Sequence, residues 1–446
     1  MAPARSKENL DENSDPEHPK ILNFDDVTEA SARISKMIER TPCIPSHYQK
    51  EFVMHLTYKM ETMHKSGSFK ERGAANVFQL LPENQKKIGI AVASTGNFAT
   101  SMCMHAAKAK VPVTVVMPVN VPVARIMSVH DLGGKVLLQG NNLLEAQKFA
   151  RFIAQERGLE FINSRDHPAV LAGYGSLAVE IIEDVPLVDA ILVPLGSGGL
   201  AAAVATAAKH LKPDCLVYGI SPEAMPVFFK ALEGDNPSLV IEPTPTSADA
   251  IAVTAVGVNS YQTAKPLMDK LLMVKEEWIT KAMTHLLEQE KMVVEGSGAC
   301  PLAAIIGNLV PELKTKHVVC VLSGGNVDPI QLSRGLQRGL AAFGRLIRFS
   351  VDIGLGLNSS TQLLRLLAGG GYNVVSLARD LHRVHAAEDV FKVQVKLACE
   401  TKSLEHALEL KRLLDRAYPD LVTFDTAPFN DRTTCPCFIK RKKSSV

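Results

Sequence analysis

Net charge is almost absent from this 446-residue chain: 49 Lys and Arg stand against 47 Asp and Glu, a balance of +2. Without a basic excess there is no electrostatic reason to expect nucleic acid as a partner. Also absent is an apolar run fit to span a bilayer. The longest uncharged stretch, residues 190–208, is broken by Pro194 and a Gly/Ser turn, so no stable membrane insertion is expected. The eight cysteines (Cys43, Cys103, Cys215, Cys300, Cys320, Cys399, Cys435 and Cys437) form no CxxC pair and no Cys/His metal spacing. They read as buried thiols in a reducing compartment. The N-terminal stretch M-A-P-A-R-S-K-E-N-L-D-E lacks the apolar core of a signal peptide and is too acidic for a transit peptide. A cytoplasmic protein is the expectation.

What is present is a composition of 46% hydrophobic and 22% charged residues, that of a soluble globular protein too long for one ordinary domain. Residues 1–20 are polar and contain proline, and are expected to form a disordered leader. A rhythm of apolar strand, loop and helix then runs to about residue 344. It reads as strands at 88–93, 113–117, 135–138, 190–194, 217–220 and 317–322, with helices at 98–110, 144–156 and 200–210. That alternation predicts an α/β fold with a mainly parallel sheet covered on both faces. Over 345–425 the order becomes strand 346–352, helix 360–368, strands 373–378 and 391–399, helix 404–418 and strand 421–424. This βαββαβ order is the ferredoxin-like α+β signature. Residues 426–446 form a basic tail, read as a solvated end; Cys435 and Cys437 beside its basic cluster make an acylated membrane contact the minor alternative.

Ligand groups in open parallel sheets collect in loops at the carboxyl ends of strands. Gly196-Ser197-Gly198-Gly199 follows a strand and opens a helix at Leu200, which makes an anion site suited to phosphate. The spacing is not that of a dinucleotide fingerprint. Ser94-Thr95-Gly96-Asn97 joins a strand to a helix start, with N–H groups and hydroxyls suited to a carboxylate, or to an ordinary N-cap. Ser323-Gly324-Gly325-Asn326 ends a buried strand and offers a hydroxyl to a ring nitrogen. Before them, in K-S-G-S-F-K-E-R-G over 65–73, stands Lys70, an amine able to capture a carbonyl cofactor. Cradle, amine and ring partners together are what pyridoxal phosphate requires of a protein.

Lys59-Met60-Glu61 and then Ser66-Gly67-Ser68-Phe69-Lys70-Glu71-Arg72-Gly73-Ala74 resemble the lysine motif of the fold-type II pyridoxal-phosphate enzymes of the serine/threonine dehydratase family. Ser94-Thr95-Gly96-Asn97, Gly196-Ser197-Gly198-Gly199-Leu200, Glu295-Gly296-Ser297-Gly298-Ala299 and Ser323-Gly324-Gly325-Asn326 match its other motifs in order, over about residues 21–340. Gly344-Arg345 and the pattern after them look like the ACT domain of catabolic threonine dehydratases.

The resemblance implies a tryptophan synthase β-like fold with parallel sheets in two subdomains, a catalytic region at 21–344, an ACT-type regulatory domain at 345–425, and a homo-oligomer, dimer or tetramer. It implies pyridoxal 5'-phosphate as cofactor, carried by Lys70, which also moves the substrate's α-proton. Phe69 and Asn97 would lie against the ring, with Gly196, Ser197, Gly198, Gly199 and Leu200 on the phosphate and Ser323 at the ring nitrogen. Ser94, Thr95 and Gly96 would hold the carboxylate of an amino-acid substrate, and Glu295, grouped with the substrate residues, would lie near the ring, with a structural ion pair as the alternative. The reaction implied is β-elimination of L-threonine to 2-oxobutanoate and ammonia, and of L-serine to pyruvate. Three departures stand out. Phe98 replaces a usual histidine. Ser221, Met225 and Val227 replace the ligands of a divalent cation, so no metal is expected. Gly354-Leu355-Gly356 replaces a Pro-Gly turn at the effector site. Two alternatives remain: a serine racemase of the same fold, with Thr95 where that family has serine, and a non-catalytic cofactor-binding amino-acid sensor.

Overall fold

The computed structural model describes residues 13–356, 358–380 and 391–425; the expected tail at 426–446, with Cys435 and Cys437, lies outside them. The chain divides into two compact units, Met1–Leu332 and Ser333–Val446. The division falls inside the helix Pro329–Ala342, ahead of the expected junction at 344, because most of that helix groups with the second unit.

In chain order the strands are β1 (Cys43–Pro45), β2 (His55–Lys59), β3 (Ile90–Ala93), β4 (Val113–Met117), β5 (Lys135–Leu138), β6 (Glu160–Phe161), β7 (Ala190–Pro194), β8 (Leu216–Pro222), β9 (Lys270–Val274), β10 (His317–Val321), β11 (Leu346–Gly354), β12 (Asn373–Asp380), β13 (Lys392–Glu400) and β14 (Val422–Phe424). The first unit holds two sheets. One has the order β1-β2-β10-β7-β8-β9 and the other β5-β4-β3-β6. Every pairing in them is parallel except β1 with β2. The strands β3, β4 and β7 are buried at every residue, as parallel strands covered by helices on both faces must be. Each fully buried Val, Leu or Ile contributes about 1.5–3 kcal/mol.

The strand expected over 88–93 begins at Ile90. Ile88 ends a short helix, Glu83–Ile88, and Gly89 turns the chain at φ +107, where a Cβ would lie 2.5 Å from the Pro112 carbonyl oxygen. The expected disordered leader is corrected for 13–20. Ser14 is buried with its hydroxyl donating to Asp166 at 2.5 Å, and the Lys20 N–H donates to Asn259 Oδ1 at 2.7 Å. A serine hydroxyl and a backbone N–H of this polar stretch find buried partners, which its composition does not reveal.

The helix Pro168–Asp184 locks the Lys70 segment in place. A Cβ at Gly173 would meet the Arg72 carbonyl oxygen at 2.5 Å, and one at Gly73 would meet the Tyr174 ring at 2.6 Å. The two helix backbones therefore approach as only paired glycines allow.

The second unit has the sheet order β12-β13-β11-β14, antiparallel throughout, as the ferredoxin-like reading predicts. Ile347, Phe349, Val351 and Ile353 alternate onto one face and pack with Leu363, Leu367, Leu410 and Leu414 of its helices Ser359–Gly369 and Leu404–Ala417.

Candidate active site

Lys70 opens the helix Lys70–Leu80, after Phe69 at its N-cap. The loop before it is stapled to the loop after β10. The Phe69 N–H donates to the Ser323 carbonyl at 3.0 Å and the Gly325 N–H to the Gly67 carbonyl at 2.9 Å. Beneath the loop, the Glu71 carboxylate accepts the Ser66 N–H at 2.7 Å.

Arg72, fully buried, grips Glu61 with Nε and Nη2 at 2.7 and 2.8 Å and Glu180 with Nη1 and Nη2 at 2.7 and 2.8 Å. Lys59 completes the cluster on Glu180 at 2.7 Å. The Arg72 guanidinium, with His64, holds Glu61 well below the usual carboxylate range against the opposing penalty of burial. The Lys70 helix is thus anchored through a largely buried set of paired charges.

The Lys70 amine stands 4.7 Å from the Phe69 ring centroid and 5.1 Å from that of Tyr174. Burial pushes its pKa down to about 8, with Glu295 opposing and Arg165 adding to the fall. A larger neutral fraction at neutral pH is what a nucleophilic or basic amine needs.

The residues expected to hold cofactor or substrate all line one cleft: Phe69 and Lys70, Ser94 to Asn97, Gly196 to Leu200, Glu295 and Ser323. Gly198, at φ 102, is the N-cap of the helix Gly199–Leu211, and as a glycine it offers no side chain to cap it. Its first amide groups therefore lack intrahelical partners and suit an anion. Side chains are barred from this cradle, since a Cβ at Gly196 would lie 2.9 Å from Ile251 and one at Gly198 2.7 Å from Phe228.

Across the cleft, Ser94 Oγ accepts the N–H groups of Gly96 and Ala99, both at 3.3 Å, so it caps the helix Asn97–Ala109 from within. The Asn97 amide donates to both oxygens of Glu295 at 3.1 Å. Glu295 is 4% exposed, and burial lifts its pKa to about 7, with Asn97 opposing. Gly324 makes this pairing possible, because a Cβ there would lie 3.0 Å from Glu295 and 3.2 Å from Asn97.

Four lining or bordering residues, Arg165, Arg125, Asp249 and Tyr174, have no motif to announce them, and a fifth, Ser297, lies within the Glu295–Ala299 motif. Arg165, Arg125 and Asp249 line the cleft, the last two as an ion pair. Ser297 also lines it, and among the described residues neither its buried hydroxyl nor the buried Tyr174 hydroxyl has a hydrogen-bond partner. Ser297 is marked by its glycine-flanked motif; Arg165 and Asp249 lie in irregular stretches, and Arg125 and Tyr174 lie in the helices Val123–Asp131 and Pro168–Asp184, which the sequence pattern does not mark. Where a cation site was expected to be lost, Ser221 Oγ donates to the Leu195 carbonyl at 2.6 Å, and Met225 and Val227 are buried.

The donor set fits pyridoxal phosphate. It combines an uncapped, glycine-lined helix terminus for the phosphate, an amine of lowered pKa, the Phe69 ring, a buried Ser323, and the unpartnered Ser297 hydroxyl.

Comparison with known proteins bears on the same residues. The family model "Pyridoxal-phosphate dependent enzyme" matches residues 34–324. The chain is 35% identical over 391 residues to L-threonine ammonia-lyase of Geobacter sulfurreducens, covering 87% of this chain and 96% of that one. Among solved structures it is similar to maize serine racemase, with TM-score 0.67 and 28% identity over 72% of this chain and 98% of the other. It is also similar to the processed form of threonine deaminase isoform 2 from Solanum lycopersicum, with TM-score 0.68 and 25% identity over 76% of this chain and 96% of the other. With a family match spanning the Lys70 loop, the glycine cradle and Ser323, this chain belongs to the pyridoxal-phosphate dependent enzymes.

Proposed function

We propose that the protein is an L-threonine ammonia-lyase that also accepts L-serine, releasing 2-oxobutanoate or pyruvate with ammonia. The observation that carries this reading is the position of Lys70. Its amine of lowered pKa shares one cleft with the Ser94-Thr95-Gly96-Asn97 loop and the uncapped helix after Gly198. The relative from Geobacter sulfurreducens, covered almost end to end, bears that activity in its name.

Pyridoxal phosphate, when bound, supplies an electron sink for charge developing at the substrate's α-carbon. Gly196 to Leu200 would hold its phosphate, Ser323 its ring nitrogen, and Phe69 and Asn97 its ring face and edge. Lys70 takes the proton from the α-carbon, a task suited to a base whose pKa lies near the working pH. The N–H and hydroxyl groups of Thr95 and Gly96 receive the α-carboxylate, while Ser94 holds the loop in shape from within. Glu295, protonated over part of the neutral range, stands beside Lys70 as a proton store and is bonded through Asn97 to the carboxylate loop. A serine at the ring nitrogen cannot keep that atom protonated as a carboxylate would, which favours prompt loss of the β-hydroxyl.

The 345–425 region supports a further part of the reading, a regulatory ACT-like domain, through its ferredoxin-like strand order. A homodimer or homotetramer and a cytoplasmic location belong to the same proposal; among the described residues no helix is long and apolar enough to cross a membrane.

The test is an absorbance spectrum of the purified holoenzyme, repeated with L-threonine and with 2-oxo acid detection. A visible cofactor band that threonine perturbs, with 2-oxobutanoate released, is the expected result. A band that threonine leaves unchanged overturns the assignment, as does accumulation of D-serine in place of pyruvate from L-serine.

A further inference from the structure

The Arg125–Asp249 pair on the cleft has no part in the chemistry proposed so far. Arg125 belongs to the helix Val123–Asp131, which follows β4 in the four-stranded sheet. Asp249 opens the short turn Asp249–Ile251, between β8 and β9 of the six-stranded sheet. The pair thus joins the two sheets' loops across the cleft. Arg125 Nη2 donates to Asp249 Oδ2 at 2.5 Å, and its Nη1 donates to the Thr95 carbonyl at 3.2 Å. The same Nη1 lies 3.5 Å from the point a Gly96 Cβ would occupy. The two side chains are 24% and 30% exposed, so the pair is neither a solvated surface bridge nor a sealed one.

A trans peptide holds its C=O and N–H in opposite directions. Anchoring the Thr95 carbonyl on Arg125 therefore turns the Gly96 N–H to the other side, away from the guanidinium. There, among the described residues, the N–H meets the Ser94 hydroxyl alone, at a long 3.3 Å. A carboxylate is a stronger acceptor than a hydroxyl and would draw that N–H readily. Asp249 neutralises the guanidinium and fixes its plane, so the fork is spent on orienting the peptide.

Resting on the carboxylate role proposed for the 94–96 loop, we infer that Arg125, clamped by Asp249, is a positioning residue that presents the Thr95–Gly96 peptide to the substrate's α-carboxylate. A second observation agrees with it. The same two residues act in opposite senses on Glu295, Asp249 raising its pKa and Arg125 lowering it, so the clamp lies within electrostatic reach of Lys70's neighbour.

The experiment compares L-threonine with L-threoninamide, which lacks the α-carboxylate, in wild type, Arg125→Ala, Arg125→Lys and Asp249→Asn holoenzymes. Wild type is expected to prefer threonine strongly. Arg125→Ala should raise KM for threonine, on the order of 100-fold for a misplaced substrate group, and should flatten the preference over the amide. Its fluorescence-monitored affinity for pyridoxal phosphate should stay at the wild-type value. Arg125→Lys should restore part of the preference, because an ammonium reaches one partner but lacks the fork to hold both. Asp249→Asn should fall between. An Arg125→Ala enzyme that keeps the wild-type preference overturns the inference and leaves the proposed reaction standing. A wild type that takes both compounds equally overturns the carboxylate assignment of the loop, and the inference with it.

Discussion

Gly67 and Asn326 compete for the same space. A Cβ at Gly67 would sit 2.2 Å from Asn326 Oδ1, and Gly67 holds φ at +75. Asn326 uses that room to donate to the Ser66 carbonyl at 2.7 Å and to Asn97 Oδ1 at 3.0 Å. One amide thereby clamps the lysine loop to the loop that opens the Asn97 helix. Gly67→Ala should combine left-handed strain of about 1–2 kcal/mol with overpacking of about 1–3 kcal/mol. Urea denaturation should read a loss in that combined range, and pyridoxal-phosphate titration a weakened affinity. A Gly67→Ala protein with wild-type stability and affinity would show that the clamp is dispensable.

The charge cluster beneath the loop predicts a different mutational response. Arg72 and Glu61 are both fully buried and doubly bonded, so deleting either partner strands the other in a low-dielectric interior. Arg72→Met or Glu61→Gln should cost about 3–5 kcal/mol, measured by denaturation of the apoprotein. Arg72→Lys should not rescue it, because a lysine cannot bond Glu61 and Glu180 with a planar fork.

How much of this was legible beforehand depended on where each residue sits. The Lys70, Gly198 and Ser323 loops were readable because glycine and hydroxyl residues at strand ends leave a local mark, and the βαββαβ order over 345–425 because its one-sided sheet alternates. The helix Pro168–Asp184 was not read. It is buried on most sides, from Val170 through Ala178 without a break, and so lacks an amphipathic period. The helix Gly296–Ile306 contains Pro301 and two glycines, against every local preference; burial on all sides overrides them. Arg125 and Asp249 meet only through tertiary folding, and Asp249 comes from an irregular Pro/Thr-rich stretch with no period at all.

Lys70 predicts how the apoprotein takes up its cofactor. Only the neutral amine attacks a carbonyl, so the rate of appearance of the visible band on mixing with pyridoxal phosphate should rise with pH. Its midpoint should lie near the lowered pKa of about 8, well below the 10.5 of an ordinary lysine. Burial is the main cause, and the Glu295 carboxylate opposes it. Glu295→Gln should therefore move the midpoint to lower pH. A midpoint that stays near that of free lysine in stopped-flow measurements would mean the amine is solvated and not shielded by the cleft.

Glu295 also predicts a stability difference with a definite sign. Its pKa is raised from 4.5 to about 7, chiefly by burial, so the folded state holds this proton more tightly than the unfolded chain. The stabilising protonated form is fully present below the unfolded value and is lost as pH rises through about 7. Above that, the ionised and buried carboxylate costs up to about 3 kcal/mol. Glu295→Gln removes the charge while keeping an acceptor for Asn97. The variant apoprotein should match wild type in denaturation at about pH 4 and exceed it at about pH 8, the gap opening between those values. A gap that is constant across pH would assign the difference to packing, and the carboxylate would then ionise in the folded protein at its ordinary pKa.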